Sequence, residues 1–198
     1  MSVSDMNNSR RRFLTGAVGA MGGIGGAFVA VPFVASWTPS ERAYAIGAPI
    51  EVDISKIEPG RMIVEKWQGK PVYIIRRTEE ALKFLPEAVA KLRDPKSLEL
   101  DQQPTYAQNE FRSIKPEIMI LVGVCTHLGC APQFRPEVAP ADLGADWKGG
   151  FFCACHGSRF DLAGRVFQGV PAPLNLLVPP HQYLGDNRII IGVDEESA

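Results

Sequence analysis

The sequence lacks a surplus of either charge. Lys+Arg 21 against Asp+Glu 22 leaves a formal net charge of -1, and nothing in that balance points to nucleic acid as a partner. Sulfur and imidazole are scarce, with Cys 4 and His 3 in 198 residues. The head has no internal repeat beyond two short Cys/His stretches that resemble each other. One segment lacks charge altogether: after Arg12 no ionisable side chain other than neutral types occurs until Glu41. Proline and glycine are plentiful, at Pro 16 and Gly 19, which suits short strands joined by tight turns better than a helical protein. The length allows one ordinary domain, or one domain with an attached segment.

The uncharged segment reads FLTGAVGAMGGIGGAFVAVPFVASW, residues 13–37. As a helix it would rise roughly 37 Å at about 1.5 Å per residue, enough to cross a hydrocarbon core of about 30 Å. Arg10, Arg11 and Arg12 precede it, so residues 1–12 are expected in the cytoplasm and the rest of the chain outside. A cleaved secretory signal is the competing reading, and Ala43-Tyr44-Ala45 offers a small-x-small site. The run is longer than a usual signal core and ends in Phe33, Val34 and Trp37, with Trp37 suited to the membrane interface, so a retained anchor is expected. Gly19/Gly23 and Gly22/Gly26 have the spacing that allows close helix packing in a membrane. Ser9-Arg10-Arg11-Arg12-Phe13-Leu14 resembles a twin-arginine export signal, a route for already folded bacterial proteins.

Residues 38–50, TPSERAYAIGAPI, read as a flexible linker whose Ala-rich middle suits helix or extended chain. From residue 51 to 198 the pattern is that of a compact head. Residues 61–77 predict two strands around Gln68-Gly69-Lys70. Residues 78–94 predict a helix interrupted by Pro86. Residues 95–115 are polar and irregular, EIMILVGV at 117–124 is an apolar strand buried on both faces, GGFFCAC is a strand and turn, and NRIIIGV at 187–193 is a closing strand. The fold class expected is mainly β: an antiparallel sheet of many short strands behind one N-terminal transmembrane helix.

The scarce residues carry the chemistry. CTHLGC at 125–130 and CACHGSRFD at 153–161 contain every cysteine and two of the three histidines. Each stretch follows a strand and sits among turn residues. Cys125 and His127 are two apart, and Cys153 and His156 three apart, leaving Cys130 and Cys155 over. Buried free cysteines with core histidines would not cluster in this way. A structural zinc tetrahedron of Cys125, His127, Cys153 and His156 is possible in chemistry, but its spacing is not that of a finger and it leaves two cysteines without a role. A two-iron, two-sulfide cluster with thiolates on one iron and imidazoles on the other accommodates the set.

These two motifs resemble the Rieske iron–sulfur family, and with the anchor and the downstream GVPAPLNL the chain is similar to the Rieske subunits of bacterial cytochrome bc1 complexes (ubiquinol–cytochrome c reductases) from Ser9 to about Val193. The resemblance implies a Rieske-type antiparallel head with a small cluster-binding subdomain at about 120–175. Residues 131–150 would be an irregular surface loop joining its two motifs. It implies one [2Fe-2S] cluster, with Cys125 and Cys153 on one iron, His127 and His156 on the other, and a disulfide between Cys130 and Cys155, as an extracytoplasmic head permits. Imidazole gives less charge than thiolate, so the potential lies above that of an all-cysteine cluster. Electron uptake then makes a bound imidazole hold its proton more tightly. His156 would meet the quinol hydroxyl, with His127 the second proton-coupled ligand.

Ser158 matches the position whose hydroxyl bonds a bridging sulfide, and Gly129 and Gly157 admit close backbone approach to sulfur. Many mitochondrial-type members carry tyrosine two residues after that serine. Here Phe160 stands there, which implies a lower potential than in a tyrosine-bearing relative. Pro171-Ala172-Pro173 resembles the loop that covers the cluster, Leu128 is an expected apolar tip, and His181 an expected non-ligand, at the surface or locally hydrogen-bonded. The partners implied are cytochrome b, cytochrome c1, a second bc1 protomer, ubiquinol and the lipid of a bacterial inner membrane, with the head in the periplasm. The alternatives are a Rieske subunit of another periplasmic oxidoreductase related to arsenite oxidase, or a zinc-stabilised, membrane-tethered binding module. A soluble dioxygenase ferredoxin would need neither the anchor nor Cys130 and Cys155.

Overall fold

The computed structural model describes residues 3–193; residues 1, 2 and 194–198 of the expected terminal segments lie outside the described residues. The chain forms two compact units, Met1–Ala45 and Ile46–Ala198.

The first unit is built on α1, Val3–Ala35, which includes Arg10–Arg12 and starts well before the apolar run. Its 28-residue apolar part, Asn8–Ala35, is long and uncharged enough to cross a membrane. The helix closes where Ser36 and Thr38 turn their hydroxyls back to the carbonyls of Phe33 and Ala35, both at 2.6 Å. Carbonyls at a helix end run out of i+4 N–H partners, and Ala35 O also accepts from Thr38 N at 3.1 Å. The Ala-rich middle of the linker is helical: α2 spans Glu41–Gly47, and Ser40 accepts a hydrogen bond from Ala43 N at 3.3 Å as its N-cap.

Among the described residues, the second unit holds three antiparallel sheets of three strands each. One orders β1 (Ile50–Asp53), β9 (Arg188–Ile191) and β8 (His181–Tyr183). The next orders β2 (Met62–Trp67), β3 (Lys70–Arg76) and β4 (Ile118–Val122). The last orders β5 (Gln133–Val138), β6 (Lys148–Cys153) and β7 (Ser158–Phe160). Gln68 and Gly69, at φ 50 and 74, turn β2 into β3 in the two-residue manner that matches strand twist.

β4 is buried at all five positions because the middle sheet has a core on each face. Val72, Ile74, Ile118 and Ile120 join Ile189 and Ile191 on one side. Tyr73, Ile75, Met119 and Leu121 join Phe151, Phe160, Cys125 and Cys153 on the other. The period of two along β3 and β4 thus assigns alternate residues to the base and to the region of the Cys/His motifs.

Two sequence expectations need correction. Pro86 does not interrupt its helix. α3 spans Glu79–Ala88 with Pro86 inside it and passes into a 3-10 turn at Val89–Lys91. The start is well capped, with Thr78 Oγ1 accepting from Ala81 N and Glu79 and Glu80 in the first turn. Proline removes a single N–H donor here, and the burial of neighbouring Leu85, 3% exposed, holds the last turn in place.

Nor is 131–150 an irregular loop throughout. β5 pairs with β6 through Gln133↔Phe152, Phe134↔Phe151 and Arg135↔Gly150, with a bulge before Val138. β5 has no apolar alternation because it lies mostly exposed. Its order comes from its partner strand, from Trp147 Nε1 donating to Arg135 O, and from Arg135 bridging to Asp142 at 2.8 Å.

Candidate metal centre

β4 and β6 deliver the two motifs. Cys125 stands three residues after the end of β4, and Cys153 ends β6. Both loops are then closed in the same way. Gly129 N donates to Cys125 O at 3.0 Å, and Gly157 N donates to Cys153 O at 2.9 Å. Both glycines have positive φ, 84 and 77, where a side chain would be strained. The first loop is also pinned by Cys125 N to Cys130 O at 2.8 Å, and the second by the pairing of Cys153 with Ser158 across β6 and β7. A disulfide joins Cys130 to Cys155, clamping loop to loop.

The remaining sulfur and nitrogen donors sort into two pairs. Cys125 and Cys153 are both 2% exposed. The Cys153 thiol is pushed above its ordinary pKa, first by burial and then by its hydrogen bond with the Cys125 thiol. The His127 and His156 rings lie 4.7 Å apart, nearly perpendicular at 88°. His127 is half-buried and His156 exposed, and Leu128, within the first motif, is 71% exposed. Three sulfurs also approach within 4.8 Å of one another, those of Cys130, Cys153 and Cys155. Two of these belong to the disulfide and have no lone thiolate to give, so this trio is not a three-thiolate metal site.

Around the pairs, Ser158 is fully buried and its oxygen accepts from Ala172 N at 3.1 Å, which leaves its own hydroxyl proton to donate elsewhere. Ala172 lies in the proline loop, which Thr126 also grips through Oγ1 to Leu174 O at 2.7 Å. Phe160 is fully buried opposite Phe151. His181 is buried, not at the surface, with Nδ1 2.8 Å from Pro179 O.

Sequence reasoning left Asp161 and three arginines without roles. Asp161 is buried and accepts from Ala163 N, Arg165 N and Arg165 Nε at 2.8–2.9 Å, with Arg165 Nη2 at 2.7 Å. Arg77 donates to Leu162 O, and Arg112 to Ala163 O and Gly164 O. Three buried guanidiniums therefore grip the turn that follows β7. Burial lowers the pKa of Arg77 and Arg112 to about 10, with the nearby Asp161 opposing the shift. The i, i+4 spacing of Asp161 and Arg165 was the one signal of this in the sequence.

Known proteins match this arrangement. The family model described as the Rieske [2Fe-2S] domain matches residues 51–180, and one described as the ubiquinol–cytochrome c reductase Fe-S subunit TAT signal matches residues 1–40. The chain therefore belongs to the Rieske [2Fe-2S] family. It is 56% identical over 198 residues to the ubiquinol–cytochrome c reductase iron–sulfur subunit of Allochromatium vinosum, covering 100% of this chain and 95% of that one. It is 40% identical over 192 residues to the mitochondrial cytochrome b-c1 complex subunit Rieske of Schizosaccharomyces pombe, covering 96% of this chain and 74% of that one. A solved chain titled hyperthermophilic respiratory Complex III aligns at TM-score 0.47 with 31% identity, over 90% of this chain and 98% of that one. Within the family the chain falls with these iron–sulfur subunits, which are redox components of an oxidoreductase complex.

Proposed function

We propose that the protein takes single electrons from ubiquinol and passes them to cytochrome c1, as the membrane-anchored Rieske subunit of a dimeric bc1 complex in a bacterial inner membrane. The observation that supports this most is the sorting of the donors: two buried thiols in mutual contact, and two adjacent imidazoles at the accessible end. That donor set fits a [2Fe-2S] group held by Cys125 and Cys153 on one iron and by His127 and His156 on the other. It does not suit a single zinc ion equally, because Cys130 and Cys155 are spent on holding the loops together rather than on ligation.

When bound, the group supplies a one-electron acceptor at a potential above that of an all-thiolate cluster. The residues around it do the rest. His156, exposed at the tip, accepts the quinol hydroxyl's hydrogen bond on the ring nitrogen that ligation leaves free, and holds the proton there. His127 is the second imidazole able to hold a proton. Leu128 offers apolar surface to the membrane subunit. Ser158 has a hydroxyl proton to spare and would offer it to the sulfur of a bound cluster, and the Gly129 and Gly157 backbones would allow close approach. Cytochrome b receives the second quinol electron.

Residues 1–12 stay cytoplasmic, 13–37 anchor the chain in lipid, and 38–50 tether a periplasmic head, 51–198, that moves between quinol site and cytochrome c1. The twin-arginine motif supports export of a head already folded around its cofactor. Purification from the native membrane with partners intact tests the reading. Co-purifying b- and c-type haem subunits and quinol-dependent reduction of cytochrome c are expected. A molybdenum enzyme in place of b-type haem would overturn it in favour of the arsenite-oxidase-like alternative.

A further inference from the structure

We infer that Tyr73, on β3 of the middle sheet, is a positioning residue for the [2Fe-2S] site, joining the stems of both ligand loops and the segment that leaves the disulfide. The inference rests on Cys125 and Cys153 being ligands, as proposed above.

Three contacts carry it. Tyr73 pairs with Leu121 across β3 and β4, so its ring reaches the same face two residues on, at Gly123. A Cβ on Gly123 would overlap the Tyr73 ring, so only glycine leaves the seat the ring occupies. Gly123 stands two residues before Cys125. On the other side the ring stacks on Phe151, with centroids 5.9 Å apart and planes 14° apart. Phe151 stands two residues before Cys153. The hydroxyl, buried, then donates to Pro132 O at 2.9 Å, and Pro132 stands two residues after Cys130. Tyr73 is 6% exposed and shares a core with both ligand thiols. The Pro132 carbonyl oxygen carries no hydrogen, so the hydroxyl is the donor in this bond.

The consequence runs through the first loop. Cys130 O accepts from Cys125 N, so the register of the 125–130 loop depends on where the 130–132 segment lies. Removing the Tyr73 hydroxyl strands a buried carbonyl at Pro132 and frees that segment. Cys130 is bonded to Cys155, and the backbone N–H groups of Cys155 and His156 point at the Cys153 sulfur. With the 130–132 segment freed they lose direction, and the reduced, more negative state loses more stabilisation than the oxidised one. A residue that only fills space would change stability without changing potential.

The test is Tyr73→Phe in the full chain, which keeps the ring and its stacking. We expect full iron and sulfide content and electron uptake at least threefold less favourable, about 28 mV lower at 59 mV per tenfold for a one-electron couple. We also expect several-fold faster reduction of the Cys130–Cys155 disulfide by dithiothreitol in the cluster-free chain. A wild-type potential at full cluster content overturns the inference, whatever happens to thermal stability. If the variant fails to retain iron, the disulfide rate decides: faster supports the inference, and an unchanged rate overturns it. A wild-type chain with no Rieske spectrum would refute the ligand assignment instead, and the disulfide rate would still judge Tyr73.

Discussion

Replacing Cys130 and Cys155 together with alanine tests what holds the two loops in place. The disulfide closes a segment of sequence separation 25. The chain-entropy relation, 2.1 + 1.5R ln n cal/mol/K, puts its effect on the unfolded state at about 3.5 kcal/mol at 25 °C. For a head of roughly 150 residues, an unfolding entropy of about 2.1 cal/mol/K per residue converts this into a fall in Tm of about 11 °C. Little is lost in packing, because Cys155 is exposed and Cys130 half-buried. The disulfide ties the 125–130 loop to the loop after Cys153, so without it the ligand loops should part before the sheets melt.

The assay is thermal unfolding of the detergent-solubilised full chain, followed both by far-ultraviolet circular dichroism and by visible cluster absorbance. Both transitions should fall, and the absorbance transition should fall further. A Tm within about 3 °C of wild type, with unchanged potential and cluster lifetime, would refute a structural role for the disulfide.

Three further substitutions probe the surroundings. Phe160→Tyr adds a hydroxyl to a fully buried ring in the same core as both ligand thiols, and should raise the midpoint potential; no shift, or a fall, in a redox titration would count against the missing hydrogen bond. Ser158→Ala should lower the potential and, by leaving the buried Ala172 N–H without a partner, cost about 1–3 kcal/mol in urea unfolding; an unchanged potential would sink the role given to the hydroxyl. Asp161→Asn leaves the buried Arg165 guanidinium without its ion-pair partner and should cost about 3–5 kcal/mol by the same measurement. A cost below about 1 kcal/mol would mean that the turn after β7 does not depend on that pair.

The parts of the site that were legible share a physical reason. Thiols and imidazoles are rare, so their clustering in CTHLGC and CACHGSRFD carries information in residue type alone, and turn glycines mark where the backbone must bend. The β2–β3 hairpin and β4 were legible because their apolar alternation and continuous apolar run reflect burial directly. β5 was not, because an exposed strand is ordered by its partner and leaves no pattern of its own. Pro86 misled because a rule for helix interiors counts the lost donor and omits the packing of Leu85. Arg77, Arg112 and Tyr73 were invisible for a different reason. Most of their partners lie 34–85 residues away, for example Phe111 and Leu162 for Arg77, and only the fold brings these together.

The most direct test of the central claim is the composition and spectrum of the purified full chain. Two irons and two acid-labile sulfides per chain are expected, with visible colour and a reduced-state EPR signal of the Rieske type. Both should be lost when His127 or His156 is replaced. A colourless protein holding one zinc per chain would contradict the account.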